Sequence, residues 1–386
     1  MSKYDYYQNA LDKKREQKEY RQLRCVSALE EKGTDSRLNF NSNDILGLSR
    51  HPYVKKNTIK YVLEWGAGTT PSRLVAEHLE CHRSVEEKLA DLVGKETALL
   101  FPSAYNAHKQ ILSTLMNNRC LIFIDRFCHH GLIQAAIGSG AQVFRYEHNN
   151  LEQLRSLLEK TSSASQRWII TESLFGIDGE EADLKKIGEV ADQYGAFTYV
   201  DDSHSVGLMG KHGMGLASHR SGIDVVFGSF GKQSGTFGAY LASPFLFRNY
   251  LLAFNPEFLE TTMLPPAGLG AISGSLDLIP DMHVERQKVD ILSQALRDLL
   301  RDHHWDVGSG TSHLVPLICS KESECLKLSN ALLKADILAT TLRPPLVPQG
   351  AMRLRFTVNA LHTQEDLNFL AETLQVLREE PSLSIV

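Results

Sequence analysis

The chain has 386 residues, 42% hydrophobic and 23% charged, with a formal net charge of -5. That length supports a large core with a smaller second domain, and a mildly acidic balance argues against a nucleic-acid partner. No uncharged apolar run approaches the about 18 residues that a membrane span needs, so no membrane partner is expected.

The six cysteines, Cys25, Cys81, Cys120, Cys128, Cys319 and Cys325, form no C-x-x-C pair and no zinc-ligand spacing. They read as reduced, mostly buried thiols, and no metal site is expected. The first 24 residues are charged throughout and lack the apolar stretch of a signal peptide. A cytoplasmic enzyme is the class that remains.

Residues 3–24 read as a charged helix with Tyr6, Tyr7, Ala10, Leu11 and Tyr20 as a narrow apolar stripe. A short strand around 38–41 leads into SNDILGL. Strands are then predicted at ETALLF (96–101), CLIFID (120–125), AQVFRY (141–146), RWIITE (167–172), AFTYVDD (196–202) and DVVFGSF (224–230). Between them lie helical patterns in NAHKQILSTLM, HGLIQAAIGS, NLEQLRSLLEK and DLKKIGEVADQYG. Alternation of this kind, with strands apolar along their whole length, predicts a mostly parallel sheet covered by helices on both faces. From about residue 277 a long helix, strands in SHLVPLICS and MRLRFTV, and two further helices form a smaller α/β module. The predicted division is an arm over 1–45, a large domain over 46–276 and a small domain over 277–386.

In α/β sheets, ligands bind beyond the carboxyl ends of the strands. Ser103, Ala104 and Tyr105 follow the first of these strands, His129 and His130 the second. Asp201, Ser203 and His204 follow AFTYV, and Ser229 and Lys232 follow DVVFG. Lys232 sits among glycines and small residues in SFGKQSGTFGAY, with no neighbouring charge. Desolvation there would lower its pKa and make the amine a nucleophile for a Schiff base. Asp201 suits a pyridinium nitrogen, although the same position also suits a helix N-cap. His129 and His130 are adjacent, so at most one faces a common ligand. GAGTTPS (66–72) is neither a dinucleotide fingerprint nor a P-loop.

These segments, in this order, resemble the α-oxoamine synthases, which are fold-type I pyridoxal 5′-phosphate (PLP) transferases. The likeness runs nearly full length through ALDKKREQKEYR, NFNSNDILGLSRHP, GAGTTPSRLVAEHLECHRSVEEKLADLVG, FPSAYNA, DRFCHHGLIQAA, TESLFGIDGE, DDSHSVGLMGKHGMG, FGSFGKQSGTFGAY and TTMLPP. The closing LRPPLVPQGAMRLRFTV looks more like the 8-amino-7-oxononanoate synthase branch than the glycine-acetyl or aminolaevulinate branches. The resemblance implies a cofactor of PLP, substrates of L-alanine and pimeloyl-CoA or a pimeloyl carrier protein, a role in biotin synthesis, and a homodimer with shared active sites.

By position, the resemblance implies that Lys232 holds the cofactor and later removes the substrate α-proton, while Asp201 pairs with the ring nitrogen. His204 approaches the phenolic oxygen and His129 stacks on the ring. Ser103, Ala104, Tyr105 and Ser229 hold the phosphate, and Thr262 reaches the neighbouring subunit's cofactor. Glu172 belongs to the cofactor site. Arg343 binds the amino-acid carboxylate, Asn43 lies beside the substrate, and Arg21 contacts the acyl group. Gly176 stands where the family has serine, Ala104 and Glu77 where it has glycine, Glu260 where it has tyrosine and His108 where it has asparagine. These departures bear on the acyl donor, leaving open other α-oxoamine synthases with different thioesters or amino acids. A non-catalytic scaffold on this fold also stays open. A Ser203–His204–Asp201 hydrolase is disfavoured, because adjacent side chains cannot assemble a triad and no G-x-S-x-G elbow occurs.

Overall fold

Runs that are apolar along their length cannot face water, and in the computed structural model the six predicted ones become strands of one sheet. The structure describes residues 2–16, 20, 37–69, 72–75, 78–161, 166–344, 346–347 and 350–379. The chain divides into two units, 1–38 and 39–386. In the first, the predicted helix is present over Asp5–Glu16, and none of its residues is buried. Local polar contacts support it: Asp12 accepts from Gln8 at 3.0 Å and from Arg15 at 2.7 Å. Of the rest of the predicted helix, Lys3 and Tyr4 form a turn, and beyond Glu16 all but Tyr20, Arg21 included, lies outside the described residues. A two-residue strand, β1 (Leu38–Asn39), follows.

In the second unit come β2 (Thr97–Phe101), β3 (Cys120–Asp125), β4 (Gln142–Tyr146), β5 (Gln166–Glu172), β6 (Phe197–Asp201), β7 (Val225–Ser229) and β8 (Ala239–Ser243), in the spatial order β2-β8-β7-β6-β5-β3-β4. β3 to β7 pair in parallel, and β8 is antiparallel to both its neighbours. β8 was not among the predicted strands. It returns from β7 through a short connection, which only an antiparallel pair permits. The sheet is therefore mostly parallel rather than purely so. Since β2 opposes β8, it runs with the others, and the carboxyl ends of β2, β3, β5, β6 and β7 share one edge. β4 pairs only with β3, which is why Gln142 and Arg145 of this otherwise apolar run are exposed.

Residues of β2, β3, β7 and β8 are buried throughout. Trp168, Tyr199, Tyr240, Phe123 and Phe227 are among the largest fully buried side chains. Beyond residue 277 lie β9 (Leu314–Ile318), β10 (Ile337–Leu338), β11 (Thr340–Leu342) and β12 (Arg353–Thr357). β11, β12 and β9 form a small antiparallel sheet, accompanied by helices His283–Asp302, Glu322–Lys334 and Gln364–Glu379. Side chains alternate along a strand, so Arg353 and Arg355 of β12 leave the same face. Both reach the turn after β5: Arg353 pairs with Asp178, and Arg355 donates to the Gly176 carbonyl. No described helix is long and apolar enough to cross a membrane.

Candidate active site

Lys232 is carried by the connection between β7 and β8, whose shape its backbone fixes. The Phe230 N–H donates to the Gly238 carbonyl at 2.9 Å, Thr236 N–H to the Phe230 carbonyl at 3.0 Å, and Gly235 N–H to the Lys232 carbonyl at 3.0 Å. Gly235 has φ of 61° and sits so close to Ser49 and Asp44 that any side chain would collide with them. The turn bearing Asn43 is thereby packed onto the lysine loop, and Asn43 itself is exposed. Gln233 donates from Nε2 to the His204 carbonyl at 2.5 Å, tying the loop to the strand end after β6.

The Lys232 amine is half-buried, and burial lowers its pKa; Arg355 acts in the same sense, against the opposing pull of Asp201 and Glu172. Asp201 is buried. Burial would raise its carboxyl, but the hydrogen bond and charge of His108, the charge of Lys232 and the Ser203 hydrogen bond together hold it far below the usual range. His108 Nε2 lies 3.1 Å from Asp201 Oδ2, and the Ser203 N–H donates to Oδ1 at 3.0 Å. Asp201 thus closes a turn rather than capping a helix, and remains ionised as the functional reading requires.

Asp202 faces the other way. It accepts from Ser173, Ser205 and the N–H groups of Leu216 and Ala217, which makes it a brace for the following loop. Ser203 meets Asp201 through its backbone, and the imidazole on Asp201 belongs to His108 rather than His204. No hydrolase triad is present at this turn.

Glu172 is level with Asp201 across the β5–β6 register. Burial first, then the Asp201 charge, push its carboxyl up to about 8. It accepts the His129 backbone N–H. A folded pKa above the unfolded value adds stability that is complete below the unfolded pKa and lost as pH rises through the folded one. Glu172→Gln is therefore expected to flatten the decline in cofactor-free stability between about pH 4.5 and pH 8, measured by urea unfolding across that range. An unchanged slope would contradict this.

His129 caps the helix His130–Gly138, its Nδ1 accepting the Gly131 N–H at 3.1 Å. Partial desolvation lowers its pKa, with Asp201 opposing. Gly131 lets Tyr105 come close: a Cβ there would meet the tyrosine ring at 2.8 Å and His129 Nδ1 at 3.1 Å. Tyr105 belongs to the first turn of helix Ala104–Leu115, with Ser103 at the N-cap making no side-chain cap. Helix N-termini leave N–H groups without intrahelical partners and favour anions. Ser229 ends β7 and accepts the Gly231 N–H at 3.2 Å.

His204 is held neutral, by burial first and then by the charges of Lys232 and Arg355. Its ring fills the space beside Gly176, where a Cβ would collide with Nε2. A serine at 176 would need the His204 ring to shift. Gly176→Ser is expected to cost about 1–3 kcal/mol by overpacking, read as a lower Tm. An unchanged Tm would show that the ring moves freely.

Arg355 was passed over at the sequence level. Burial lowers its guanidinium to about 10, Nη1 donates to the Gly176 carbonyl, and Nε is buried without a partner. A buried, unpaired donor beside Lys232 is a place for a carboxylate. Arg343 follows β11 and is half-buried; the guanidinium charge felt at Lys232 is that of Arg355. Thr262 is exposed and forms an isolated bridge with Ser72. Arg21 and Glu77 lie outside the described residues. No described group of three or more His, Cys, Asp or Glu residues could hold a metal ion.

A desolvated lysine, an ionised buried carboxylate level with a strand end, and a helix N-terminus with nearby hydroxyls fit a phosphorylated pyridine aldehyde. Gln233 Oε1, Ser234 Oγ and Thr236 Oγ1 around Lys232 are buried and unpaired, as a polar ligand's surroundings would be. Residues 35–374 match the family described as aminotransferase class I and II. The chain is 35% identical over 357 residues to 8-amino-7-oxononanoate synthase of Gluconacetobacter diazotrophicus, covering 90% of each chain. Its fold is similar to Sphingomonas wittichii serine palmitoyltransferase, with TM-score 0.92, 22% identity and 100% of each chain covered. It is also similar to the 8-amino-7-oxononanoate synthase of Francisella tularensis, with TM-score 0.78 and 23% identity, over 89% of this chain and 98% of that one.

Proposed function

Because the chain belongs to the aminotransferase class I and II family and is a PLP-dependent acyltransferase of the 8-amino-7-oxononanoate synthase type, we propose that it condenses L-alanine with a pimeloyl thioester. The products are 8-amino-7-oxononanoate, carbon dioxide and the free thiol, a step of biotin synthesis in the cytoplasm. The observation that carries the reading is the placement of Lys232 just past the end of β7 and of the buried Asp201 at the end of the adjoining β6.

PLP supplies an electron sink for cleavage of bonds at the substrate α-carbon. Lys232 Nζ would hold its aldehyde carbon, and Asp201 its ring nitrogen in the protonated form. His129 and His204 would flank the ring, and Ser229 with the N–H groups at Ser103, Ala104 and Tyr105 would hold the phosphate. Once displaced, Lys232 Nζ takes the α-proton; a general base must be deprotonated near the working pH, which burial and Arg355 favour. Arg355 Nε, unpaired and buried, orients the amino-acid carboxylate, a part the sequence reading gave to Arg343. Neutral His204 places no added positive charge beside the amine.

The homodimer is part of this proposal. Thr262 is exposed and available to a neighbouring subunit, as are Ile59 and Leu63 on the helix Pro52–Trp65. The division at 276 is supported by the seven-stranded sheet, which lies within 46–276, and by the β11-β12-β9 sheet, which lies within 277–386. The test is incubation with L-alanine and a panel of acyl-CoA and acyl carrier protein thioesters, with products identified by mass. The reading expects 8-amino-7-oxononanoate from the pimeloyl donor. A product from a different chain length or amino acid would replace the substrate assignment, and no thiol release from any donor would overturn the enzyme reading.

A further inference from the structure

We propose that His108 is a positioning residue for the cofactor, acting through Asp201 as the middle of a Tyr199–His108–Asp201 relay. The proposal rests on the PLP reading above. His108 lies on the helix Ala104–Leu115 and is buried. Its Nε2 is 3.1 Å from Asp201 Oδ2, and its Nδ1 is 2.9 Å from the Tyr199 hydroxyl. Tyr199 and Asp201 are both on β6, and their side chains share one face because they are two residues apart. The ring is packed on Phe227 of β7, with centroids 3.9 Å apart.

The proton positions are set by these partners. One proton lies between the Tyr199 hydroxyl and Nδ1, and Nε2 carries the proton aimed at the Asp201 carboxylate, which can only accept. The Asp201 carboxylate then receives Nε2–H on Oδ2 and Ser203 N–H on Oδ1, which fixes its plane. A carboxylate stays ionised in a buried site only when donors reach it. The other charges and titratable groups around this point are Lys232 from the β7–β8 connection, Glu172 at the end of β5 and His129 before its helix. Glu172 is engaged by the His129 backbone N–H, and Lys232 is needed at the cofactor. His108 is the group left to hold Asp201 from the side of the helix. An asparagine at 108 could also donate to Asp201 and accept from Tyr199, so both side chains satisfy the same two partners.

The test uses His108→Phe, His108→Asn and Tyr199→Phe in the full chain. PLP uptake is followed by absorbance, and the visible band is titrated with pH. His108→Phe is expected to weaken PLP binding about tenfold or more, the loss of a hydrogen bond to a charged group, and to shift the midpoint of the band by about one pH unit. His108→Asn should stay within about threefold of wild type, and Tyr199→Phe should fall between the two. In cofactor-free protein, imidazole 15N resonances should show His108 protonated on Nε2. If His108→Phe does not fold, the Tyr199→Phe titration and the 15N spectrum decide. Wild-type protein that takes up no PLP would overturn the functional reading, and this one with it. Wild-type uptake with unshifted binding and titration in His108→Phe, or in Tyr199→Phe where the first is unfolded, would overturn the relay alone. An Nε2 without a proton would do the same.

Discussion

Lys232→Ala is expected to leave a folded protein that still takes up PLP but turns over nothing measurable. One nitrogen is asked to hold the cofactor and then accept the α-proton. A positioned base alone contributes about 10²–10⁴-fold, so losing both tasks should cost about four orders of magnitude or more. Lys232 is half-buried at the edge of a loop whose form is set by backbone hydrogen bonds, so truncation leaves the fold in place. Burial of an ammonium costs free energy, and its removal should leave Tm unchanged or raised. The checks are steady-state thiol release, Tm and the absorbance spectrum. Activity near that of wild type would rule the assignment out.

Arg355→Ala is expected to raise the amino-acid KM by about 10²-fold, or about 3 kcal/mol, the size of a charge-assisted hydrogen bond lost at a buried site. The KM for the acyl thioester should change far less. Arg355→Lys keeps a charge without the planar fork and should fall between. Because Arg355 lowers the Lys232 pKa, its removal should also move the acidic limb of the pH–rate profile to higher pH. Arg343→Ala serves as the comparison. A large rise in amino-acid KM for Arg343→Ala and none for Arg355→Ala would return the carboxylate to Arg343.

Much of this arrangement was legible because strands buried on both faces announce themselves as continuous apolar runs. β3 matches its predicted bounds, and β2, β5, β6 and β7 agree within two residues at either end. β8 was hidden because AYLAS is short and comes after a glycine-rich loop read for its lysine. Ser103, Ala104, Tyr105, His129, His204 and Lys232 lie just past the carboxyl ends of apolar strands, a rule that reaches only residues delivered by the main sheet. Arg355 comes from β12 of the other sheet, across a contact with Gly176 that no local pattern encodes. Its one signal was an arginine alternating with Leu354 and Phe356 in an apolar strand. His108 had a clearer mark, since it shares the spacing of Ile111, Leu112 and Leu115, all buried on one stripe. A histidine on such a stripe needs partners, and sequence could not say they would be Tyr199 and Asp201.

The most direct measurement is to load the protein with PLP, reduce it with borohydride, digest it and locate the modified peptide by mass. The account predicts one labelled residue, Lys232, within the segment SFGKQSGTFGAY. Label on any other lysine, or none after confirmed uptake of the cofactor, would contradict it.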